Sequence, residues 1–233
     1  MGIQFSIHNE LISRADGDGY FFAKKGCMIA DVGRFAYEKR LLDANDDKGL
    51  VGNLINHVAR KVSGENLELM EVRGSGTVYM SDNGEHNILI DLEPNEPWNN
   101  ICVESESLLA FTPECRYGVK FIGTGVISQK GLMITEIKYR EAGAQVIIKS
   151  NGNPLILEAP CRVDPDTLVA WTGDAPSVST CINWKTIIGH TSGESYMFEF
   201  HQPGQQVIIQ PIERISGLNV SIDDKRYTPS RQH

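Results

Sequence analysis

No stretch of the chain reaches the roughly 18 consecutive apolar residues that a membrane-crossing helix needs. The amino terminus, Met1-Gly2-Ile3-Gln4-Phe5-Ser6, lacks the basic segment followed by an apolar one that marks a secretory signal. Together these predict a cytoplasmic protein with no transmembrane segment and leave peripheral membrane association open. Cationic side chains are scarce: 22 Lys and Arg against 30 Asp and Glu give a formal net charge of -8. Nucleic-acid binding draws most of its affinity from Lys and Arg neutralising phosphates, so this balance argues against such a partner. The 5 cysteines, Cys27, Cys102, Cys115, Cys161 and Cys181, are odd in number and contain no C-x-x-C pair. That excludes a disulfide framework or a zinc knuckle and fits reduced, small core hydrophobes. Met1-Gly2 with Ser6 matches a myristoylation pattern, and Asn219-Val220-Ser221 a glycosylation sequon; both motifs are short and unspecific.

What the chain does have is apolar material, 41% of 233 residues, cut into short runs by Gly, Asn, Asp and Pro. This is the pattern of strands joined by tight turns. In Ser195-Tyr196-Met197-Phe198-Glu199-Phe200 the aromatic residues recur at period two, which predicts a strand with one buried face. Asp82-Asn83-Gly84 and Asn151-Gly152-Asn153-Pro154 tolerate positive φ and predict hairpins. One segment departs from this pattern. From Gly49 to Val62, Leu50, Val51, Leu54, Ile55, Val58 and Val62 recur at helical spacing, predicting a single amphipathic helix over about residues 49–62. Its face Leu54, Ile55 and Val58 is a candidate interaction surface. Residues 1–217 read as one β domain and 218–233 as a flexible tail.

Sliding the chain against itself aligns Val103 to Thr112 without gaps on Val163 to Thr172, with Gly26-Cys27-Met28-Ile29-Ala30 as a third copy of the central motif. A second set comprises Gly76 to Met80, Gly143 to Ile148 and Gly204 to Ile209. One set starts near the amino terminus and the other ends near the carboxyl terminus, so a third unit is assembled from both ends. The expected fold class is therefore all-β: a closed, prism-like or barrel-like body of repeated antiparallel strands with internal pseudo-threefold symmetry. Closure removes unpaired sheet edges.

Val163 to Thr172, Ser192-Gly193-Glu194-Ser195, and Phe200 through Gly204 to Glu213 resemble the altered-inheritance-of-mitochondria family, member twenty-four. Gly49 to Leu54, Ser63 to Leu67 and Gly74 to Val78 are also similar to family segments, so the resemblance spans roughly residues 20 to 215. One departure is Ile212, where related chains often have Ser. The resemblance implies a β-prism similar to the tryptophan RNA-binding attenuation protein. It implies no reaction, cofactor or catalytic residue, and fold analogy to an RNA binder does not transfer function.

Chemistry-bearing residues are sparse. Glu199 and His201 share a strand face and are the candidate metal ligands, yet the H-x-H pair of a cupin-type site is missing. Gly123-Thr124-Gly125 reads as a glycine kink between strands, and Gly74-Ser75-Gly76 as a turn with Ser75 filling it rather than a nucleophile elbow. Glu65 and Glu194 each follow a Ser-Gly pair, which suggests a repeated structural role. Trp171 replaces Phe111 in the aligned copies and reads as a packing residue. The chain is thus expected to be a non-enzymatic, cofactor-free oligomeric scaffold binding protein partners or itself. Expected alternatives are a small-ligand or lipid carrier with an apolar interior and, behind that, an enzyme of unknown class.

Overall fold

The computed structural model describes residues 2–40, 68–122, 132–181 and 195–213. The described strands run, in chain order, β1 (Gln4–Asn9), β2 (Ile12–Lys24), β3 (Met28–Arg40), β4 (Leu69–Met80), β5 (His86–Asp91), β6 (Asn100–Glu104), β7 (Leu108–Phe111) and β8 (Cys115–Ile122). They continue with β9 (Leu132–Tyr139), β10 (Gln145–Ser150), β11 (Leu155–Glu158), β12 (Cys161–Val163), β13 (Leu168–Thr172), β14 (Ser177–Cys181), β15 (Ser195–Phe200) and β16 (Gln206–Ile209). Two short 3-10 turns, Ser105–Ser107 and Pro165–Thr167, are the only helical elements among the described residues. The helix expected over residues 49–62, the Gly123-Thr124-Gly125 kink and the expected tail lie outside them.

Three antiparallel sheets form. The first has 7 strands in the order β3-β4-β2-β7-β10-β5, with β1 attached to β2. The second runs β11-β16-β13-β6-β9-β8, and the third is β12-β15-β14. The all-β antiparallel expectation stands, but among the described residues none of these sheets closes on itself: each ends in strands paired on one side only. Nor do the two Asn-Gly-type turns make hairpins. Asn83 and Gly84 have positive φ, 51° and 70°, as a tight turn requires, yet β4 and β5 pair with other strands. The turn at 151–154 passes the chain from β10 in the first sheet to β11 in the second.

Three strand pairs share one irregularity. Met80 faces Met28 and Tyr79 faces Ala30, leaving Ile29 unpaired. Ile148 faces Leu108 and Ile147 faces Ala110, leaving Leu109 unpaired. Ile209 faces Leu168 and Ile208 faces Ala170, leaving Val169 unpaired. Upstream of two of these pairs the acidic residue Glu104 or Asp164 caps a 3-10 turn, accepting from the amides of Glu106 and Ser107 or from that of Asp166. Thr112 and Thr172 likewise accept, at 3.0 and 2.9 Å, from the amides of Gln145 and Gln206.

The long strands β2, β3 and β4 bend together at a row of glycines. Gly17 and Gly33 both face Gly76, and all three have φ between +132° and +146°. A Cβ on Gly76 would lie 2.2 Å from the Val32 carbonyl oxygen, and one on Gly33 2.2 Å from that of Ser75. Only hydrogen fits, and only glycine adopts this backbone without strain. Gly74-Ser75-Gly76 is therefore the middle of β4 rather than the turn expected from its composition. The bend lets β2 serve two partners: its first half pairs with β1, its second half with β7.

Burial follows the sheets. One apolar cluster joins the first two sheets around Ile101, Val103, Leu108, Phe111 and Val146. A second, beneath β1 and β2, holds Phe5, Phe21, Val78 and Leu109, and a third between the second and third sheets holds Trp171, Phe198, Phe200 and Val207. Aromatic pairs reinforce them, Phe111 stacking on Tyr117 at 5.7 Å between ring centroids. Cys27, Cys102 and Cys115 are buried free thiols, and burial pushes those of Cys27 and Cys115 up to about 12. They pack as small hydrophobes and are poor nucleophiles in that state.

Candidate functional site

A cleft of about 310 Å³ opens where the β5 edge of the first sheet meets the β11 edge of the second. Its apolar lining comes from Ile88 and Ile90 of β5, Trp98 from the following loop, Ile101 of β6, Ile156 of β11, Trp171 of β13 and Ile208 of β16. β5 contributes four consecutive residues, Ile88 to Asp91, because its outer edge has no neighbouring strand among the described residues. Ile101, Trp171 and Ile208 are buried, while Ile156 is 53% exposed. The loop carrying Trp98 is held by hydrogen bonds from the Trp98 amide to the Asn95 carbonyl and from the Glu93 amide to the Trp98 carbonyl, both 3.0 Å.

The polar lining is acidic or neutral: Asp91, Glu93, Thr172 and Gln206. Asp91 is positioned by a chain of contacts. Gln145 donates its Nε2 to Asp91 Oδ1 at 2.7 Å and accepts the Phe5 amide on Oε1 at 2.7 Å. The indole Nε1 of Trp171 is buried with no hydrogen-bond partner among the described residues. A cleft of this kind suits an apolar body with a donor or cationic end, and its size lies at the small end of ligand pockets.

At the other end of β10 an ion network centred on the buried Lys149 ties strand ends together. Lys149 Nζ lies 2.8 Å from Asp82 Oδ2 and 2.6 Å from Glu85 Oε2, and Lys24 Nζ lies 2.8 Å from the same Asp82 oxygen. Burial works against both charges, but the hydrogen bonds from Lys149 and Lys24 hold Asp82 below the ordinary carboxyl range, and the two carboxylates hold Lys149 above its ordinary value. Each charge has a partner, so the group reads as a structural clamp joining β2, β10 and the β4–β5 turn.

Glu199 and His201 are brought together as the period of two requires. His201 Nε2 lies 3.6 Å from Glu199 Oε2, and Arg162 of β12 reaches 4.0 Å from the same carboxylate. Ser177 Oγ is 3.2 Å from His201 Nε2. A cation thus already sits beside the carboxylate, and no group of three or more His, Cys, Asp or Glu able to hold a metal occurs among the described residues. Leu54, Ile55 and Val58, with Glu65 and Glu194, lie outside the described residues. The cleft was not legible in sequence because its walls come from strands up to 120 residues apart, between Ile88 and Ile208. Of its lining, only Trp171 stood out as an aromatic replacing Phe111, and it read as a packing residue.

The strand edges form a second candidate surface. β3 pairs only with β4, and β12 only with β15, among the described residues. Ile29 and Val32 on β3 are 52% and 67% exposed, whereas Leu109 and Val169, the unpaired residues of the other two bulged strands, are fully buried.

Fold and surface together define a class: an all-β protein that, among the described residues, has three antiparallel sheets, an apolar cleft and unpaired sheet edges. The family model "Mitochondrial biogenesis AIM24" matches residues 15–212, so the chain belongs to that family. No curated protein matches it. Among solved structures it is similar to the crystal structure of a Streptococcus pyogenes protein from a structural genomics programme, at 15% identity and a TM-score of 0.60. The alignment covers 91% of this chain and 93% of that one, and the likeness is one of fold alone. No helix among the described residues is long and apolar enough to cross a membrane.

Proposed function

We propose that the protein is a non-catalytic scaffold that associates with copies of itself and presents β surfaces to partner proteins. The observation that carries this reading is the β3 edge, unpaired among the described residues, with Ile29 and Val32 exposed. A long edge strand with exposed apolar residues among its charges is a template for pairing, and natural proteins cover or blunt such edges. The three bulged pairs with one register support a body of three repeated units about an approximate threefold axis, similar to the tryptophan RNA-binding attenuation protein. The acidic balance of the chain favours protein over nucleic acid as partner. The test is native mass spectrometry of the purified chain at micromolar concentration. Multiples of 25.8 kDa are expected, and they fall to the single chain mass in an Ile29→Lys, Val32→Lys variant. A wild type that stays at one chain mass at every concentration refutes the scaffold. Charged substitutions at Leu54, Ile55 and Val58 test the second expected face in the same assay.

The cleft favours a second reading, a carrier of a small apolar ligand. Mass retained by the native protein and released on activation would support it. A spectrum without added mass, together with unchanged tryptophan fluorescence on titration with apolar amines, would count against it.

A further inference from the structure

Two places in the fold show how one unit joins the next. Where β2 meets β7, Ala23 faces Ala110 and Phe22 faces Phe111. Where β6 meets β13, Val103 faces Ala170, Cys102 faces Trp171 and Ile101 faces Thr172. Both junctions obey one rule when counted from Met28, Leu108 and Leu168, the residues that open the three bulged pairs. The second residue past Leu108 meets the fifth before Met28, and the second past Leu168 meets the fifth before Leu108. Applied once more, the rule sets the second residue past Met28, Ala30, opposite the fifth before Leu168, Val163. Asp31 then faces Arg162, and Val32 faces Cys161.

That third junction is absent within the chain, for β3 and β12 are each paired on one side only among the described residues. Building on the scaffold reading, we propose that β3 of one copy pairs antiparallel with β12 of a second copy in this register, completing the third junction between chains. Three observations support it. The exposed residues of β3 include Ile29 at 52%, whereas its counterparts Leu109 and Val169 are fully buried where a junction exists. Charges complement across the seam: Arg162 already faces Glu199 on its paired side, so Asp31 on the other side gives a row of acid, base, acid across three strands. The two edges differ in sequence, so each copy offers one donor and one acceptor edge. The contact is heterologous, and it builds a ring or a filament.

Cys161 is a native, half-buried thiol at the predicted crossing, which makes the register measurable. Directly opposed residues of an antiparallel pair lie about 4.5–5.5 Å apart at Cβ, close enough for a disulfide after slight adjustment. Val32→Cys is placed at an exposed position and is expected, under mild oxidation, to give covalent dimers and higher multiples on non-reducing gels. These vanish when Cys161→Ser is added. A charge exchange checks the same seam without oxidation: Asp31→Arg weakens association roughly fivefold, and reversing the rest of the row with Arg162→Asp and Glu199→Arg restores it. A Val32→Cys protein that forms no cross-link overturns the register, as does failure of the exchange to restore association. A bond mapped between positions 32 and 161 of a single chain overturns pairing between copies and places the junction within the chain. Multiples in native mass spectra without the cross-link leave the scaffold standing while this interface falls; a single chain mass removes both.

Discussion

Replacing Gly76 with alanine inserts a methyl group where β3 and β4 pass closest. The added Cβ would lie 2.2 Å from the Val32 carbonyl oxygen, 2.9 Å from the Gly33 Cα and 3.1 Å from the Val32 carbonyl carbon. Ordinary carbon-to-oxygen contacts begin near 3.3 Å, so the strands must separate by about 1 Å. Residue 76 also sits at φ +132°, where an L side chain is strained. The backbone strain contributes about 1–3 kcal/mol and the forced separation about 1–3 kcal/mol more, which sums to roughly 2–6 kcal/mol. Gly84→Ala is the control, because Gly84 has φ +70° but nothing within 4 Å of the added methyl. It carries only the conformational cost, about 1 kcal/mol. In a chain of this size each kcal/mol shifts Tm by about 2–4 °C. Thermal unfolding followed by circular dichroism should therefore show Gly76→Ala melting roughly 4–24 °C below wild type and Gly84→Ala roughly 2–4 °C below. Equal shifts for the two variants would refute the close crossing at the glycine row.

The ion clamp around Lys149 gives further tests. Lys149→Met leaves Glu85 unpaired and Asp82 with Lys24 alone, both carboxylates partly exposed, and is expected to cost about 2 kcal/mol in urea unfolding. Asp82 is held below its ordinary value of 3.8, so its stabilisation is present above that pH and is lost as pH falls through the lower folded value. Lys149 is held above 10.5, so its contribution is present below that pH and is lost as pH rises through the higher folded value. Denaturant midpoints across pH should show both losses in wild type, and a smaller acid loss with no Lys149 limb in Lys149→Met. The two acidic caps differ in burial: Glu104→Ala should cost about 2 kcal/mol and Asp164→Ala about 1 kcal/mol by chemical denaturation, since only Glu104 is buried.

The strand class was legible because period-two patterning is a local property. Phe198 and Phe200 do share a buried face, and Glu199 and His201 do lie side by side on the other. Strand partnership was less legible. Asn83-Gly84 specifies that the chain turns, but the neighbour of β5 is β10, which begins 59 residues after His86 and is chosen by packing. Glycine misled for a similar reason. Gly74 and Gly76 signal an unusual backbone, and a bend inside a strand needs the same conformational freedom as a turn between strands. The cleft escaped detection because its lining residues are isoleucines indistinguishable by type from those of the core; what sets Ile156 apart is that β11 lies at a sheet edge.

The position of β16 bears on how the chain matures during synthesis. This strand lies between β11 and β13, pairing with both, yet it is made after them. A nascent chain that has released residues 155–172 therefore holds two apolar strands whose shared partner is still inside the ribosome. Non-local pairing of this kind is slow and leaves strand edges exposed while it waits. The second sheet cannot settle until Val207 and Ile208 emerge, so a translation pause shortly before them would prolong the interval of greatest aggregation risk.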